Sequence, residues 1–395
     1  MPTVSNGRRR KMDFSLSPQQ RTIQADAEAI ARSLPASLPL AEAQSVFNRD
    51  AWTGIAHSGF LHGFIPAEYG GRAWDTQTRV LALEAFGRGC RDNGLCLAVS
   101  SLVWTIFPPL LAFGSEAQKQ RYLPLLLRGD YFAADGVSEA GAGSDAMAME
   151  TRAAPCPEGY RINGEKRYVG LAPIADLILL FAKTDPNAGP WGLSAFLVES
   201  HLAGVTRSAN WEKMGLRTLP MGGIVFRDCI VPAEARLGEE GVGMSLFNES
   251  MEWERSFILA TQVGAMARQL EECVAYARKR QQFGKPIGAN QSVSNRIADM
   301  RLRLETSRLL LYRSAWLKDQ GLSAPAEAAM TKLSISEAFS ASSLDAIRIH
   351  GAIGYLSDHE IERDLRDATG GLIYAGTSDI QRNLISRMTG LEGAR

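Results

Sequence analysis

Glu254 carries a carboxyl group into apolar company. On a helix it shares a face with Phe247, Met251 and Ile258, which lie seven and three residues before it and four after. Ser250 and Ile258, one turn away on either side, offer no cation, and the adjacent Arg255 does not face it locally. A carboxyl in such surroundings holds its proton more tightly, which suits a group that must accept a proton near neutral pH. The spacing fits equally well a buried Glu satisfied by an Arg from another helix, and the local sequence leaves both readings open.

Three glycine-bearing segments have the composition of ligand-binding loops. GVSEAGAGSDA, 136–146, holds three glycines and two serines. Glycines let backbone N–H groups approach a ligand, and a Gly-Ser pair can hold an anion or a polar ring edge. The same composition makes an ordinary interdomain turn, and the segment is neither a GxGxxG nor a GxxxxGK[ST] phosphate loop. RKRQQFGKPI, 278–287, closes a helical pattern, where cations complement the negative helix end. Phe283-Gly284 before Lys-Pro adds a rigid exposed turn that could present Arg280 to a phosphate. GGLIYAGTSDIQRN, 370–383, joins a Gly-rich turn to Gly-Thr-Ser before a polar helix start, and Ala375 places a methyl group in its middle. His57, His62, His201, His350 and His359 form no metal-ligand pattern, so no metal is expected, and no serine nucleophile elbow is present.

The elements that must hold these residues fall into three zones. From the capping pair Ser17-Pro18, helix-like spacing continues to about residue 130, as in SPQQRTIQADAEAIARSL and SEAQKQRYLPLLLRG. From 131 to 240 short β-rich runs take over: ADLILLFAKT, GLSAFLVES and GGIVFRDCIV, with GYRINGEKRYV read as an Asn-Gly hairpin. Helices return from 241, and the pattern from Ser245 to Phe283 reads as one long amphipathic helix. The expected organisation is a tail over 1–13, a helical domain over 14–130, a β domain over 131–240 and a helical domain over 241–395.

Bulk composition narrows the partners. Lys+Arg and Asp+Glu are 43 each in 395 residues, which argues against nucleic acid and against an anionic membrane. Cys90, Cys96, Cys156, Cys229 and Cys273 are odd in number and lack CxxC spacing, which fits unpaired thiols in a reducing compartment, the cytoplasm. The start, MPTVSNGRRRKMDF, has a basic cluster without an apolar core, and no run is read as approaching the roughly 18 apolar residues of a membrane span.

Taken in order, GFIPAEYGG, GSEAQKQRYLPLLLRGD, GVSEAGAGSDA, GYRINGEKRYV, KMGLRTLPMGGIVFRDCIVP, RKRQQFGKPI, RIHGAIGY and IYAGTSDIQRN resemble the acyl-CoA dehydrogenase family over nearly the whole chain. The resemblance implies an α+β fold: an N-terminal helical domain, a middle β domain and a C-terminal four-helix bundle. It also implies a homotetramer, with a dimer as the alternative, and FAD between domains and across a subunit interface. Val137, Ser138, Gly143 and Ser144 match the segment that meets the flavin and its pyrophosphate, and Ser144 also approaches the thioester carrier. Tyr168, Val169 and Gly170 match the segment beside the isoalloxazine. Arg280, Phe283 and Gln291 match residues reaching FAD from a neighbouring subunit. Arg348, Gly351 and Ala352, then Thr377 and Asp379, match further FAD contacts.

Family chemistry removes a proton from Cα of an acyl thioester with a carboxylate while flavin N5 takes hydride from Cβ. The resemblance implies that a ribityl hydroxyl and the backbone N–H of Ala375 stabilise the thioester oxygen. Most members carry the base as Glu at the position of Ala375. A smaller group, resembling isovaleryl-CoA and long-chain dehydrogenases, carries it on the long helix directly before an Arg, here Glu254-Arg255. Glu254 is therefore the expected base, with Trp253, Arg255, Ala375, Gly376 and Ser144 against the substrate. Trp104 and Trp253, on segments expected near the acyl tunnel, suggest a short or branched acyl group. Tyr168, Gly170, Arg348 and Asp135 depart from the Trp, Thr, Gln and aromatic or neutral residues common there, and Asp135 is expected beside the cofactor. The leading expectation is an acyl-CoA substrate with electron-transfer flavoprotein or another acceptor. The alternatives are an acyl group on a carrier protein, a flavin monooxygenase and a non-catalytic acyl-binding protein.

Overall fold

The computed structural model describes residues 15–35 and 38–391, so the expected tail over 1–13 lies outside the described residues. The N-terminal part is built from α1 (Pro18–Ser33), α2 (Leu38–Gln44), α3 (Arg49–His57), α4 (Thr76–Gly89), α5 (Asn93–Ser101), α6 (Phe107–Phe113) and α7 (Glu116–Leu127). Ser17 caps α1 and Ser115 caps α7, each through a reciprocal capping box with Gln20 or Gln118, and Pro18 enters the first turn of α1. A π-helical turn, Leu102–Ile106, joins α5 to α6 in one helical stretch, Asn93–Phe113. That stretch is long and apolar enough to cross a membrane, which corrects the sequence reading that no run approaches such a length. Inside the protein 78% of its apolar window is buried, as expected of a core helix.

The middle part is one sheet of β1 (Ala133–Gly136), β2 (Arg152–Cys156), β3 (Gly159–Gly170), β4 (Leu177–Lys183), β5 (Leu193–Glu199), β6 (Val205–Arg207), β7 (Met221–Val231) and β8 (Arg236–Leu237). Its order is β6-β7-β3-β2-β4-β5-β8, with β1 parallel to β4. GYRINGEKRYV is not a hairpin: β3 runs through Asn163-Gly164, which form a bulge against β7, and the chain reverses earlier, between Cys156 and Gly159. Gly164 answers to close approach, since a Cβ there would lie 2.4 Å from the Thr151 hydroxyl. Asn163 locks the bulge by accepting from the Asp228 amide at 2.8 Å.

The C-terminal part comprises α8 (Gly243–Phe257), α9 (Ala260–Lys279), a hairpin of β9 (Gln281–Gln282) and β10 (Lys285–Pro286), α10 (Gln291–Asp319), α11 (Pro325–His350), α12 (Ala352–Tyr355), α13 (Ile361–Gly371) and α14 (Ser378–Met388). The single long helix expected from Ser245 is broken at Ile258-Leu259. Phe257, Ile258 and Leu259 are all buried, at 0%, 2% and 1% exposure. Three consecutive residues cannot share the one apolar stripe of a half-exposed helix, and the break lets each find the core.

Two apolar cores result. One joins both helical parts to one side of the sheet, and the other fills the opposite side. Strand alternation divides them: Leu177, Leu179 and Phe181 of β4 face the helices, whereas Ile178, Leu180 and Ala182 face away. Where α4 crosses α9, a Cβ on Gly264 would stand 1.9 Å from the Glu84 carbonyl oxygen, so the crossing depends on the missing side chain. Arg268 fastens it, donating to the carbonyls of Gly87 and Cys90 at 2.8 and 2.7 Å.

Candidate active site

The last turn of α8 brings Glu254 inside. Its Oε2 is shielded from solvent and has no hydrogen-bond partner among the described residues. Burial pushes the carboxyl up to about 7, against the pull of the nearby Arg255 and Lys332 charges. Among the described residues no Arg from another helix satisfies it, and another helix, α11, supplies the Lys332 charge instead. Lys332 is fully buried, its Nζ has no hydrogen-bond partner among the described residues, and burial draws its pKa down to about 8 despite Glu254. Sequence reasoning missed this residue, although the signal was the one that exposed Glu254. Lys332 shares a helical face with Ala328, Ile335 and Phe339, all in the core.

The 374–377 segment lies against the same helix end. A Cβ added to Gly376 would come 3.7 Å from the Arg255 Nε, itself without a partner among the described residues. Ala375 and Gly376 both adopt positive φ, 56° and 83°. Gln381 holds this unusual backbone, donating from Nε2 to the Ala375 and Gly376 carbonyls at 3.1 and 3.0 Å. Among the described residues the Ala375 N–H donates to no carbonyl, so the donor expected for a developing oxyanion is free. The Tyr374 hydroxyl accepts from Gln262 at 2.9 Å, and its pKa is pushed strongly up by burial and by the Asp367 and Glu254 charges. Thr377 caps α14, accepting from the Ile380 amide, and Asp379 points to solvent near Arg382.

A second wall comes from the sheet. Lys166, fully buried, pairs with Glu139 at 2.8 Å and donates to the Val137 carbonyl at 3.0 Å, while the Arg167 amide donates to the Ser138 carbonyl at 2.8 Å. Glu139 also accepts from the amides of Glu150 and Thr151 at 2.6 and 3.0 Å. This latch, also missed in the sequence, fixes the start of the 136–146 loop. Beyond it Gly141 and Gly143 face open space, with nothing within 4 Å of where a Cβ would stand, and Ser144 is exposed. Tyr168 has φ 60° and is 60% exposed, its ring edge-on to Trp211 at 5.8 Å; Val169 is buried, and Gly170 has room for a Cβ. Asp135 sits at the end of β1 with Oδ1 shielded and unpaired among the described residues, its pKa driven well up by burial and then by Glu254, against Lys166. Trp253, next to Glu254, stacks on Trp104 of the π-turn at 5.9 Å and 11°, with Phe257 against both.

The other expected residues gather elsewhere. Arg280, Phe283 and Gln291 surround the β9–β10 hairpin, whose tip, Phe283, is 95% exposed with φ 50°. Arg348 lies 3.5 Å from Asp345, and Gly351 and Ala352 are exposed at the end of α11. The Tyr276 and His350 rings, 4.3 Å apart, tie the two helix ends together. The twenty residues of α9 separate this cluster from Glu254, roughly 30 Å at 1.5 Å per residue. One chain therefore does not bring these residues to the Glu254 chamber.

Comparisons with known proteins identify the family. The N-terminal, middle and C-terminal domain models of acyl-CoA dehydrogenases match residues 17–130, 134–229 and 241–389. The chain belongs to the acyl-CoA dehydrogenase family. It is 43% identical, over 86% of its length and 90% of the relative, to an L-prolyl-[peptidyl-carrier protein] dehydrogenase of Pseudomonas fluorescens. Among solved structures it is similar to the prolyl acyl carrier protein oxidase AnaB, with 44% identity, TM-score 0.93, and 95% and 100% of the two chains covered. It is similar also to PigA solved with FAD and proline, with 40% identity, TM-score 0.94, and 97% and 100% covered. The residues present fit the flavin: an open glycine cradle at 141–143, and polar atoms on Arg255, Ser378 and Gln381 that are unpaired among the described residues. The protein is an FAD-dependent oxidoreductase that dehydrogenates an acyl thioester at its Cα–Cβ bond.

Proposed function

We propose that the substrate is a prolyl group held as a thioester on a carrier protein, and that Glu254 is the base. The relatives support the carrier-linked alternative over the acyl-CoA expectation, since the Pseudomonas fluorescens dehydrogenase and AnaB act on prolyl groups of carrier proteins. The chemistry rests on one observation: a carboxyl with a shielded, unpaired oxygen stands next in the helix to Arg255, whose Nε would lie 3.7 Å from a Cβ on Gly376. Glu254 takes the Cα proton, which it can hold because burial has already raised its proton affinity. Negative charge growing on the thioester oxygen meets the free Ala375 N–H, just before the two peptide units that Gln381 anchors through the carbonyls of Ala375 and Gly376. When bound, FAD supplies the two-electron acceptor for the hydride leaving Cβ. Val137, Ser138, Gly143, Ser144, Tyr168, Val169 and Gly170 would line it, with Thr377 and Asp379 at its far side. The stacked Trp104 and Trp253 fill the space beside Glu254, which supports a compact acyl group.

The exposed hairpin cluster supports a homo-oligomer, a tetramer by family resemblance, in which Arg280, Phe283 and Gln291 complete a neighbour's FAD site. Electron-transfer flavoprotein or another acceptor reoxidises the enzyme, and buried unpaired thiols at Cys90, Cys96, Cys229 and Cys273 support the cytoplasm. The reading is tested by mixing the yellow protein anaerobically with L-prolyl-carrier protein. Flavin absorbance should bleach, and Glu254→Gln should slow bleaching by roughly 10²–10⁴-fold with FAD retained. Bleaching of the variant at the wild-type rate would remove Glu254 from the reaction.

A further inference from the structure

Asp135 has no task in the transfer of the Cα proton to Glu254. Its place in the sheet decides where it faces. On β1, Ala133 belongs to the core shared with the helices and Ala134 to the core behind the sheet, so alternation returns Asp135 to the helical side. There β1 packs against the π-turn that carries Trp104, and α8, with Glu254, packs against the same turn. The charges that act on Asp135 are Glu254 from α8 and, with its stem on the other face of the sheet, Lys166 of β3. Lys166 is committed to Glu139 and to the Val137 carbonyl, leaving Asp135 Oδ1 shielded and unpaired among the described residues. Glu254 in turn is close enough to feel or exert charge effects with Arg255 of its own helix, Lys332 of α11, Asp135, and the Tyr374 hydroxyl from the 374–377 segment. Two carboxyl groups thus look into one chamber, each with an unpaired, shielded oxygen.

Acidic groups alone would not define a ligand. The proposed substrate does, and a role for Asp135 rests on that prolyl reading: unlike a fatty acyl chain, a prolyl group carries a basic nitrogen on the same carbon that gives up its proton. We propose that Asp135 is the counter-ion of that ring nitrogen, turning the Cα–H toward Glu254 and selecting α-aminoacyl thioesters over carbocyclic or fatty ones. The proton count closes in either direction. A neutral amine takes its proton from the Asp135 carboxylic acid, and an amine arriving as ammonium pairs with the Asp135 carboxylate, any proton on that carboxyl going to solvent. In both cases a cation–carboxylate pair forms where a desolvated acid stood alone. An ammonium on Cα also withdraws electron density and eases the removal of the Cα proton.

The test compares L-prolyl-carrier protein with cyclopentanecarbonyl-carrier protein, the same ring without nitrogen, in anaerobic bleaching by the FAD-loaded enzyme. The wild type should strongly prefer the prolyl substrate. Asp135→Asn should slow prolyl bleaching by roughly 10- to 100-fold and leave the carbocycle unchanged or faster, with Asp135→Glu restoring part of the preference. Equal rates of both substrates with wild type overturn the proposal without any variant, as does an equal fall of both in Asp135→Asn. If neither substrate bleaches the wild type, the dehydrogenation of prolyl thioesters fails, and binding alone decides the role of Asp135. In that case L-prolinamide should perturb the flavin spectrum at concentrations about tenfold lower in wild type than in Asp135→Asn, with cyclopentanecarboxamide insensitive to the change. Equal prolinamide affinities would sink the amine subsite.

Discussion

Glu254 and Lys332 form a pair whose members are each costly to bury and each kept. As the proposed base Glu254 would work deprotonated, and with a pKa pushed up to about 7, flavin bleaching in the free-enzyme regime should rise with pH through about 7 and then level. Lys332 holds that value down, so Lys332→Met should move the rise to higher pH with the plateau retained; an unmoved profile would mean the two charges do not communicate. The same shift acts on stability. Glu254 titrates near 4.5 when unfolded and near 7 when folded, so the native state binds its proton more tightly. Stability from this group is full below about 4.5, declines as pH rises through about 7 and stays low above it. Glu254→Gln should therefore raise the melting temperature at pH 8, by the equivalent of at most about 3 kcal/mol, and have no such effect at pH 4.

At the scale of elements, the chamber depends on backbone held in sparsely populated conformations by side chains from neighbouring turns. Gln381 is fully buried and binds two carbonyls of the 374–377 segment. Gln381→Ala should cost about 1–3 kcal/mol in urea unfolding and slow bleaching at saturating substrate, because the segment that carries the Ala375 N–H loses its anchor. A stability loss without a rate loss would make the glutamine a purely structural clamp. The close crossing of α4 and α9 is a separate device. Gly264→Ala drives a methyl group into the Glu84 carbonyl and should destabilise by about 1–3 kcal/mol, read by thermal unfolding, with the pH profile of bleaching unchanged.

At the scale of the whole molecule, the residues expected to touch FAD fall into two groups separated by the length of α9, and the homo-oligomer proposed above would unite them. Phe283→Ser at the exposed hairpin tip should lower the mass seen in sedimentation and the FAD content together; loss of neither would dissociate the hairpin from assembly. The order of helical, β and helical parts was legible in the sequence because periodicity and capping are local: Ser17, Gln20, Ser115 and Gln118 act within one turn of themselves. Glu254 was legible for the same reason, as an acid at an apolar position of one helix. The Asn163-Gly164 pair misled because a bulge against β7 and a hairpin turn need the same backbone freedom, and only the neighbouring Thr151 separates them. The break at Ile258-Leu259 likewise depends on what surrounds α8. Which faces meet was decided by tertiary structure alone: Lys332 reaching toward Glu254, Gln381 reaching back to Ala375, and Asp135 turned by strand parity into the same chamber. Apart from the short reach of Gln381, those pairings join residues far apart in the chain, and spacing along one element carries no information about what another element will place opposite it.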